Sequence, residues 1–344
     1  MKSVKRFGVW LLGMLLLSEC SSQPVQEPEP MNRDCFAMNT YISFSIYTDV
    51  PESVLDTVEA EIKDLESLWS VTDEGSEVYR INHAEGVPIT ISEKTAELLN
   101  FSLKMFEQTD GALDVTIYPV LTAWGFTTGS YQIPSEELLS EKMQLIGADK
   151  VSLSGNILSM QSGMQLDFGA VAKGYASDLI TELLKENGVT SAVFSLGGNI
   201  QVIGSKPDGS DFRISVQHPG NRDSLGILSL SDSSISTSGT YERYFIGEDG
   251  QQYGHILDPK TGRPMISDLT SVTVVGKEGK LCDALSTALF VKGLDGAAQY
   301  YREHEGFELL LMTEDEEIYL TEGLENCFTA AESYRDLPIH IIRR

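Results

Sequence analysis

Between residues 41 and 69 the hydrophobic period changes, and that change restricts the possible folds more than any other feature of the chain. From Tyr41 to Tyr47 apolar and small polar residues alternate, with Ile42, Phe44 and Ile46 on one face and Ser43 and Ser45 on the other. That is the period of a half-buried strand. From Pro51 to Trp69 the apolar positions Val54, Leu55, Val58, Ile62, Leu65 and Leu68 recur at three and four. This is an amphipathic helix with Pro51 near its start. A second helix is predicted over Ser92 to Thr109, capped by Ser92, striped by Leu98, Leu99, Leu103 and Phe106, and stopped by Asp110-Gly111. Met164 to Phe168 reads as a short strand, followed by Gly169 and a helix ending near Asn187. Ala192 to Leu196 reads as a buried strand ending at Gly197-Gly198. Short strands are expected at Phe212 to Val216, Gly226 to Leu230, Ser234 to Thr237 and Ser271 to Val275. Asp283 to Val291 and Leu294 to His304 read as helices, and Phe307 to Met312 with Glu317 to Leu320 as a closing hairpin. Helices in pairs between runs of antiparallel strands define an α+β class.

A chain of 344 residues, 41% of them hydrophobic, suffices for one large domain or two intertwined subdomains. Its formal net charge of -26 argues against a nucleic-acid partner. A phosphate-bearing ligand would need a metal or local basic groups against that field. The first residues stand apart: Lys2, Lys5 and Arg6 precede an apolar run from Phe7 to Leu17 that is too short to span a bilayer. This is a signal-peptide pattern, residues 1–19, to be left out of the fold. It ends in Leu17-Ser18-Glu19-Cys20, which resembles a bacterial lipobox, although Glu19 stands where a small residue is usual. Lipidation of Cys20 is expected, which would anchor the chain to the membrane on its extracytoplasmic side. Residues 20–32 then form a proline-rich tether, 33–335 the folded domain and 336–344 a C-terminal tail. The remaining cysteines, Cys35, Cys282 and Cys327, are odd in number and unlike a zinc site in spacing; packed free thiols are expected.

Four segments are richer in Gly, Asp, Thr and His than packing requires. The first is Thr109 to Thr116, followed by Trp124-Gly125-Phe126. Asp110-Gly111 alone is a helix stop, but the aromatic loop could offer a face to a flat ligand. The second, Leu166 to Ala176, runs strand, glycine turn, helix, a setting in which backbone groups approach a phosphate. Lys173 in the first helical turn opposes the helix dipole, which a bound phosphate would explain; otherwise it is a surface lysine. The third joins the hydroxyl-rich stretch Ser236 to Tyr241, read as a turn, to Gly254 to Pro264. The latter carries His255, one of five histidines, with either a structural or an acid–base role. The fourth is Cys282 to Ala288: on a helix Asp283 and Thr287 share a face, an all-oxygen pair suited to magnesium, unless Asp283 is merely a cap.

In this order the segments resemble the ApbE family of flavin transferases. The resemblance runs from Met38 to about residue 320 and rests on Asp110–Thr116, Asp167–Ala176, Ser195–Asn199, Ser238–Arg243, His255–Gly262 and Asp283–Ala288. It implies a T-fold-like α+β scaffold of mixed and antiparallel sheets packed with helices. It also implies FAD as substrate, Mg2+ as metal, and transfer of FMN to a threonine or serine of a partner protein with release of AMP. Carried over by motif, the metal would be held by Asp283, Thr287 and the Ala170 carbonyl, helped by Ser286. FAD would contact Met38, Ala112, Leu113, Asp114, Asp167, Lys173 and Ile256. His255 is the candidate general base and Lys173 the candidate charge stabiliser. Trp124, Phe126 and Tyr241 are candidate neighbours of the isoalloxazine. Asn39 and Phe168 vary positions that are often small or differently apolar in the family. The chain lacks a copy of the acceptor motif, so the acceptor is expected to be a separate exported FMN-binding-domain protein, such as a subunit of a sodium-pumping NADH:quinone reductase or an Rnf-type complex. Two alternatives remain: a magnesium-dependent FAD pyrophosphatase, which would share these residues, and a non-catalytic FAD-binding lipoprotein, against which the intact Asp283, Thr287, Lys173 and His255 argue.

Overall fold

The computed structural model describes residues 29–344 apart from residue 222. The leader, Cys20 and most of the tether lie outside the described residues. Among those residues, seven α-helices are present: α1 (Ser53–Trp69), α2 (Glu77–Asn82), α3 (Glu93–Gln108), α4 (Tyr118–Trp124), α5 (Glu136–Met143), α6 (Ala172–Glu186) and α7 (Gly279–Glu303).

The frame is a nine-stranded sheet whose strands neighbour one another in chain order: Met31–Ala37, Thr40–Ile46, Ala192–Leu196, Asn199–Ile203, Ser233–Gly239, Leu269–Gly276, Phe307–Thr313, Ile318–Thr321 and Ile339–Ile342. Every pairing is antiparallel except the last, which is parallel. The alternation seen in the second strand is realised: Ile42, Phe44 and Ile46 are buried in the main core. That core lies between the sheet and helices α1, α6 and α7, filled by Leu55, Ile62 and Leu65, by Ile180 and Leu184, and by Leu285 and Leu289. The sheet's other face is covered by a three-stranded sheet, Phe212–Gln217, Ser224–Leu230 and Phe328–Ala330. Leu309 and Leu311 face the helices while Leu310 and Met312 face the small sheet. The unbroken apolar run of that strand follows, because both of its faces are dry. The α+β class with mixed sheets is therefore as expected.

Three expectations need correction. Met164 to Phe168 pairs with no strand among the described residues. The Asn82 side chain stands in for one, donating to the Leu166 carbonyl (2.9 Å) and accepting from the Leu166 N–H (2.7 Å). The stretch Ser236 to Gly239 is strand and not turn, paired on one side with Ser271–Val274. Residues 336–344 are no loose tail, since Ile339–Ile342 closes the sheet edge, and the first strand begins at Met31, ahead of residue 33. The expected split between the last two helices does occur: α7 breaks at Gly293, whose φ of 69° suits glycine. The freed Leu294 N–H is taken up by Asp268 Oδ1 at 3.0 Å.

Candidate functional site

The site begins where the chain enters α6. The Asp167 N–H donates to the Val115 carbonyl (2.8 Å), and Asp167 Oδ1 accepts from the Gly169 N–H (2.7 Å). This fixes the turn from which the helix starts. At that start two backbone groups have no hydrogen-bond partner among the described residues: the Lys173 N–H and the Ala170 carbonyl. A free N–H in the first turn of a fifteen-residue helix is a donor for an anion. Lys173 Nζ lies over the same turn, 3.3 Å from the Gly169 carbonyl.

Helix α7 crosses α6 here. Asp283, only 5% exposed, accepts the Gly174 N–H through Oδ2 at 2.8 Å. It is thus not a cap of its own helix but a ligand to the neighbouring one. Beside it runs a row of hydroxyls. Ser236 Oγ lies 3.3 Å from Asp283 Oδ1 and 3.3 Å from Ser286 Oγ. Ser238 Oγ lies 2.9 Å from Ser286 Oγ and 3.2 Å from Thr287 Oγ1. Strand periodicity puts Ser236 and Ser238 on one face, opposite the helical face of Asp283 and Thr287. Ser286 is fully buried and also donates to the Asp283 carbonyl, so its hydroxyl is engaged by protein on several sides. It supports the face from beneath. The donors that remain, the Asp283 carboxylate, the Thr287 hydroxyl and the Ala170 carbonyl, are all oxygen and fit a hard cation such as magnesium. Among the described residues no group of three or more His, Cys, Asp or Glu could hold a metal. A cation here would therefore complete its shell with ligand phosphate or water, as magnesium commonly does.

His255 approaches from another direction. Its backbone N–H and its Nδ1 both lie near the Arg243 carbonyl, at 3.0 and 3.1 Å. A carbonyl only accepts, so Nδ1 carries the proton and Nε2 keeps its lone pair. Burial pushes the imidazole pKa down to about 4; Arg243 and Lys173 also disfavour the cation, against the bond to the Arg243 carbonyl. The ring is therefore neutral at pH 7. Glu242 is exposed as a residue, yet desolvation pushes its carboxyl up to about 7, with Lys173 opposing and Asp283 adding to the rise. Desolvation also raises the Asp167 pKa, opposed by the Gly169 N–H, Lys173 and Arg243. These couplings tie Asp167, Lys173, Glu242, Arg243, His255 and Asp283 into one electrostatic cluster.

Not every expected residue joins it in the same way. Met38 and Asn39 form the two-residue turn of the first hairpin, with φ of 50° and 57°. Glu66 of α1 holds that turn by accepting the Met38 N–H at 2.7 Å. The turn lies beside Gly197, where a Cβ would come within 2.1 Å of Thr40 Oγ1, so only glycine fits. Two residues on, Asn199 Oδ1 accepts from Ser236 Oγ at 2.5 Å, while its buried Nδ2 has no partner among the described residues. A buried amide donor beside Ser236 and Asp283 is a ready ligand contact. Ile256 follows His255, is 8% exposed, and its carbonyl accepts the Met265 N–H. Ala112, Leu113 and Asp114 are all buried. The Asp114 carboxylate accepts from the Thr116 N–H and hydroxyl at 2.8 and 2.6 Å. That stretch can offer a ligand its backbone, but the Asp114 carboxylate already braces the turn.

The aromatic loop is corrected as an open face for a flat ligand. Trp124 and Phe126 are 1% and 3% exposed and fill a small separate core with Val120, Leu139, Ile146 and Leu257. Trp124 Nε1 donates to the Gly262 carbonyl at 2.8 Å. They present no face to a flat ligand. Tyr241 is half-buried against Gly239, and Phe126, though core, lies edge-on to the His255 ring with centroids 6.5 Å apart. Sequence reasoning gave no role to Asn199, Ser236, Glu242 or Arg243. Their signal was present in the segments Ser195–Asn199 and Ser238–Arg243 and, for Ser236, in the hydroxyl-rich stretch Ser236 to Tyr241.

A helix start with a free N–H, oxygen atoms that would fit a hard cation and a neutral imidazole, on an α+β frame, suit group transfer at phosphorus. Comparison with known proteins agrees. The ApbE family pattern matches residues 38–311, and the chain belongs to the ApbE family. A relative from Klebsiella pneumoniae, named FAD:protein FMN transferase, is 30% identical over 302 residues, covering 86% of this chain and 93% of its own. The crystal structure of the ApbE protein of Thermotoga maritima superposes with a TM-score of 0.81 at 29% identity, covering 87% of this chain and 99% of that one. The apo flavinyl transferase ApbE of Pseudomonas stutzeri gives 0.77 at 30% identity, covering 92% and 98%.

Proposed function

We propose that this protein is a FAD:protein FMN transferase. It joins FMN through its phosphate to a threonine or serine hydroxyl of an acceptor protein and releases AMP. The observation that carries the reading is the pairing of the α6 start, with its free Lys173 N–H and ammonium, with a neutral His255 whose Nε2 is open to a proton.

The FAD pyrophosphate lies at the α6 start, held by the Lys173 N–H and ammonium and reached by Asn199 Nδ2. Met38, the Ala112–Asp114 backbone, Asp167 and Ile256 contact the rest of the nucleotide, with Tyr241 near the flavin. Magnesium, held by Asp283, Thr287 and the Ala170 carbonyl, supplies positive charge to the pyrophosphate oxygens when bound. The acceptor hydroxyl oxygen attacks the FMN phosphorus. Its proton passes to His255 Nε2, the pyrophosphate P–O bond breaks and AMP leaves with the bridging oxygen. Nδ1–H, fixed on the Arg243 carbonyl, holds the ring in the accepting tautomer. Lys173 offsets the negative charge that grows during transfer.

The acceptor in this reading is an exported FMN-binding-domain protein of the Rnf or NADH:quinone reductase type. The chain works outside the cytoplasmic membrane, tethered through lipid on Cys20. The basic-apolar leader and the lipobox-like Leu17–Cys20 support that location. Among the described residues no helix is long and apolar enough to cross a membrane. The test is to mix the protein with FAD, magnesium and an acceptor domain, then weigh the intact acceptor. A magnesium-dependent gain of one FMN less water is expected. FMN and AMP accumulating with no gain on the acceptor would make the protein a pyrophosphatase, and FAD retained without turnover would make it a binding protein.

A further inference from the structure

Helices α6 and α7 carry the same short pattern, glycine then aspartate four residues on: Gly174 and Asp178 on α6, Gly279 and Asp283 on α7. Where the helices cross, the two patterns exchange bonds. Asp283 takes the Gly174 N–H at 2.8 Å. In return Asp178 takes the first two N–H groups of α7, Gly279 through Oδ1 at 2.5 Å and Lys280 through Oδ2 at 3.0 Å. Helix α7 has no side-chain cap of its own, for Glu278 at its N-cap position makes no such bond. Asp178 therefore supplies from a neighbouring helix the acceptor that a helix start requires. The glycines let this happen by backbone contact. A Cβ on Gly174 would lie 2.3 Å from the Gly279 carbonyl oxygen and 2.6 Å from Asp283 Cβ, and one on Gly279 would lie 2.5 Å from the Gly174 carbonyl oxygen.

This geometry has a consequence for the cation face. Asp283 stands one turn beyond Gly279, so the position of the α7 start along α6 sets where its carboxylate meets Gly174. Oδ2 is committed to the Gly174 N–H, which leaves Oδ1 on the side of the hydroxyl row. The same commitment accompanies a Ala170 carbonyl with no helical donor. We infer that Asp178 is a positioning residue for divalent cation binding: by capping α7 it fixes Asp283 over Gly174 and keeps the Ala170, Asp283 and Thr287 oxygens in register. The inference rests on the magnesium assignment of the proposed function, though not on the transfer chemistry.

The test is a magnesium titration of the full chain, read first by the rise in melting temperature and separately by the transfer rate. Asp178→Ala should raise the magnesium concentration for half-effect by about tenfold or more, the usual cost of losing a group that orients a metal ligand. Its kcat at saturating magnesium should fall much less. Asp178→Asn keeps one carbonyl acceptor and should recover most of the affinity. Gly174→Ala disturbs the crossing from the other partner of the exchange and should weaken magnesium in the same way. If Asp178→Ala does not fold, the Asn and Gly174 variants decide. A lowered melting temperature with an unmoved magnesium midpoint would overturn the inference, as would an Asn variant no better than Ala. A wild-type protein with no magnesium response would overturn it too. A wild-type protein that binds magnesium yet transfers nothing would instead sink the transferase reading and leave Asp178's role standing.

Discussion

The α6–α7 crossing places Lys173 and Asp283 against the main core, whereas His255, Glu242 and Arg243 belong to a small lobe made of two-stranded sheets. In the first region the helices are fifteen and twenty-five residues long and pack on a nine-stranded sheet. In the second, Tyr244–Ile246 pairs only with Gln252–Gly254, and Leu257–Asp258 only with Arg263–Pro264. A two-stranded hairpin is marginal by itself. Here it leans on aromatic contacts: Phe245 stacks with Tyr253 at 5.3 Å and with Tyr131 at 5.2 Å, and Trp124 lies 5.4 Å from Tyr253. In the proposed function, phosphate and cation would thus meet the stiffer half of the site, and the proton acceptor would ride on the half with less core behind it.

Substitutions in each half test this division. Asp283→Ala removes the one carboxylate of the cation face and leaves the Gly174 N–H without its partner. Magnesium-dependent turnover should fall by about 10²–10³-fold, and an unchanged rate would end the metal assignment. His255→Ala should slow transfer by about 10²–10⁴-fold while FAD titrations stay near wild type. Loss of FAD binding with normal chemistry in the bound fraction would make His255 a ligand contact. Trp124→Ala should cost about 3–5 kcal/mol of stability, read by denaturant melts. If the halves are as separate as their cores, the magnesium response should outlast the transfer activity in that variant; simultaneous loss of both would argue for a single cooperative unit.

The smallest effect concerns pH. The folded His255 titrates near 4, below its ordinary value of 6.5, because burial disfavours the imidazolium. A lowered histidine pKa means the unfolded chain binds the proton more readily. Its contribution to stability is complete above about pH 6.5 and drains as pH falls towards 4. Stability of the wild type measured against His255→Gln should therefore decline across that interval. Ring resonances of His255 should move with a midpoint near 4; a midpoint near 6.5 would mean an exposed ring.

Elements with a strong local signal were legible in the sequence. Ser92 caps α3 by accepting the Thr95 N–H at 3.3 Å, as its position before the apolar stripe implied. The break of α7 at Gly293 and the hairpin after Phe307, an apolar run followed by a second short strand, are local signals of the same kind. What failed were assignments that depend on a distant partner. The residues Met164 to Phe168 carry a strand-like pattern, but their backbone partners are the Asn82 side chain, 84 residues from Leu166, and the Val115 carbonyl. Trp124 reads equally as ligand platform or core until Leu257 and Gly262 are brought against it. Asp178 offered no signal as a helical aspartate, because its role exists only once a second helix starts beside it.

The Met38–Asn39 turn places two residues that carry side chains in the left-handed region, where glycine would be at ease. Such conformations cost on the order of 1–3 kcal/mol apiece. They persist here with the Glu66 carboxylate holding the Met38 N–H. The loop has therefore given up its conformational freedom before any nucleotide arrives. If the nucleotide contacts Met38 as proposed, binding at this corner should carry little further loss of chain entropy. Exchanging Asn39 for glycine would relax the backbone but restore that freedom, so a more comfortable turn would be a poorer receptor.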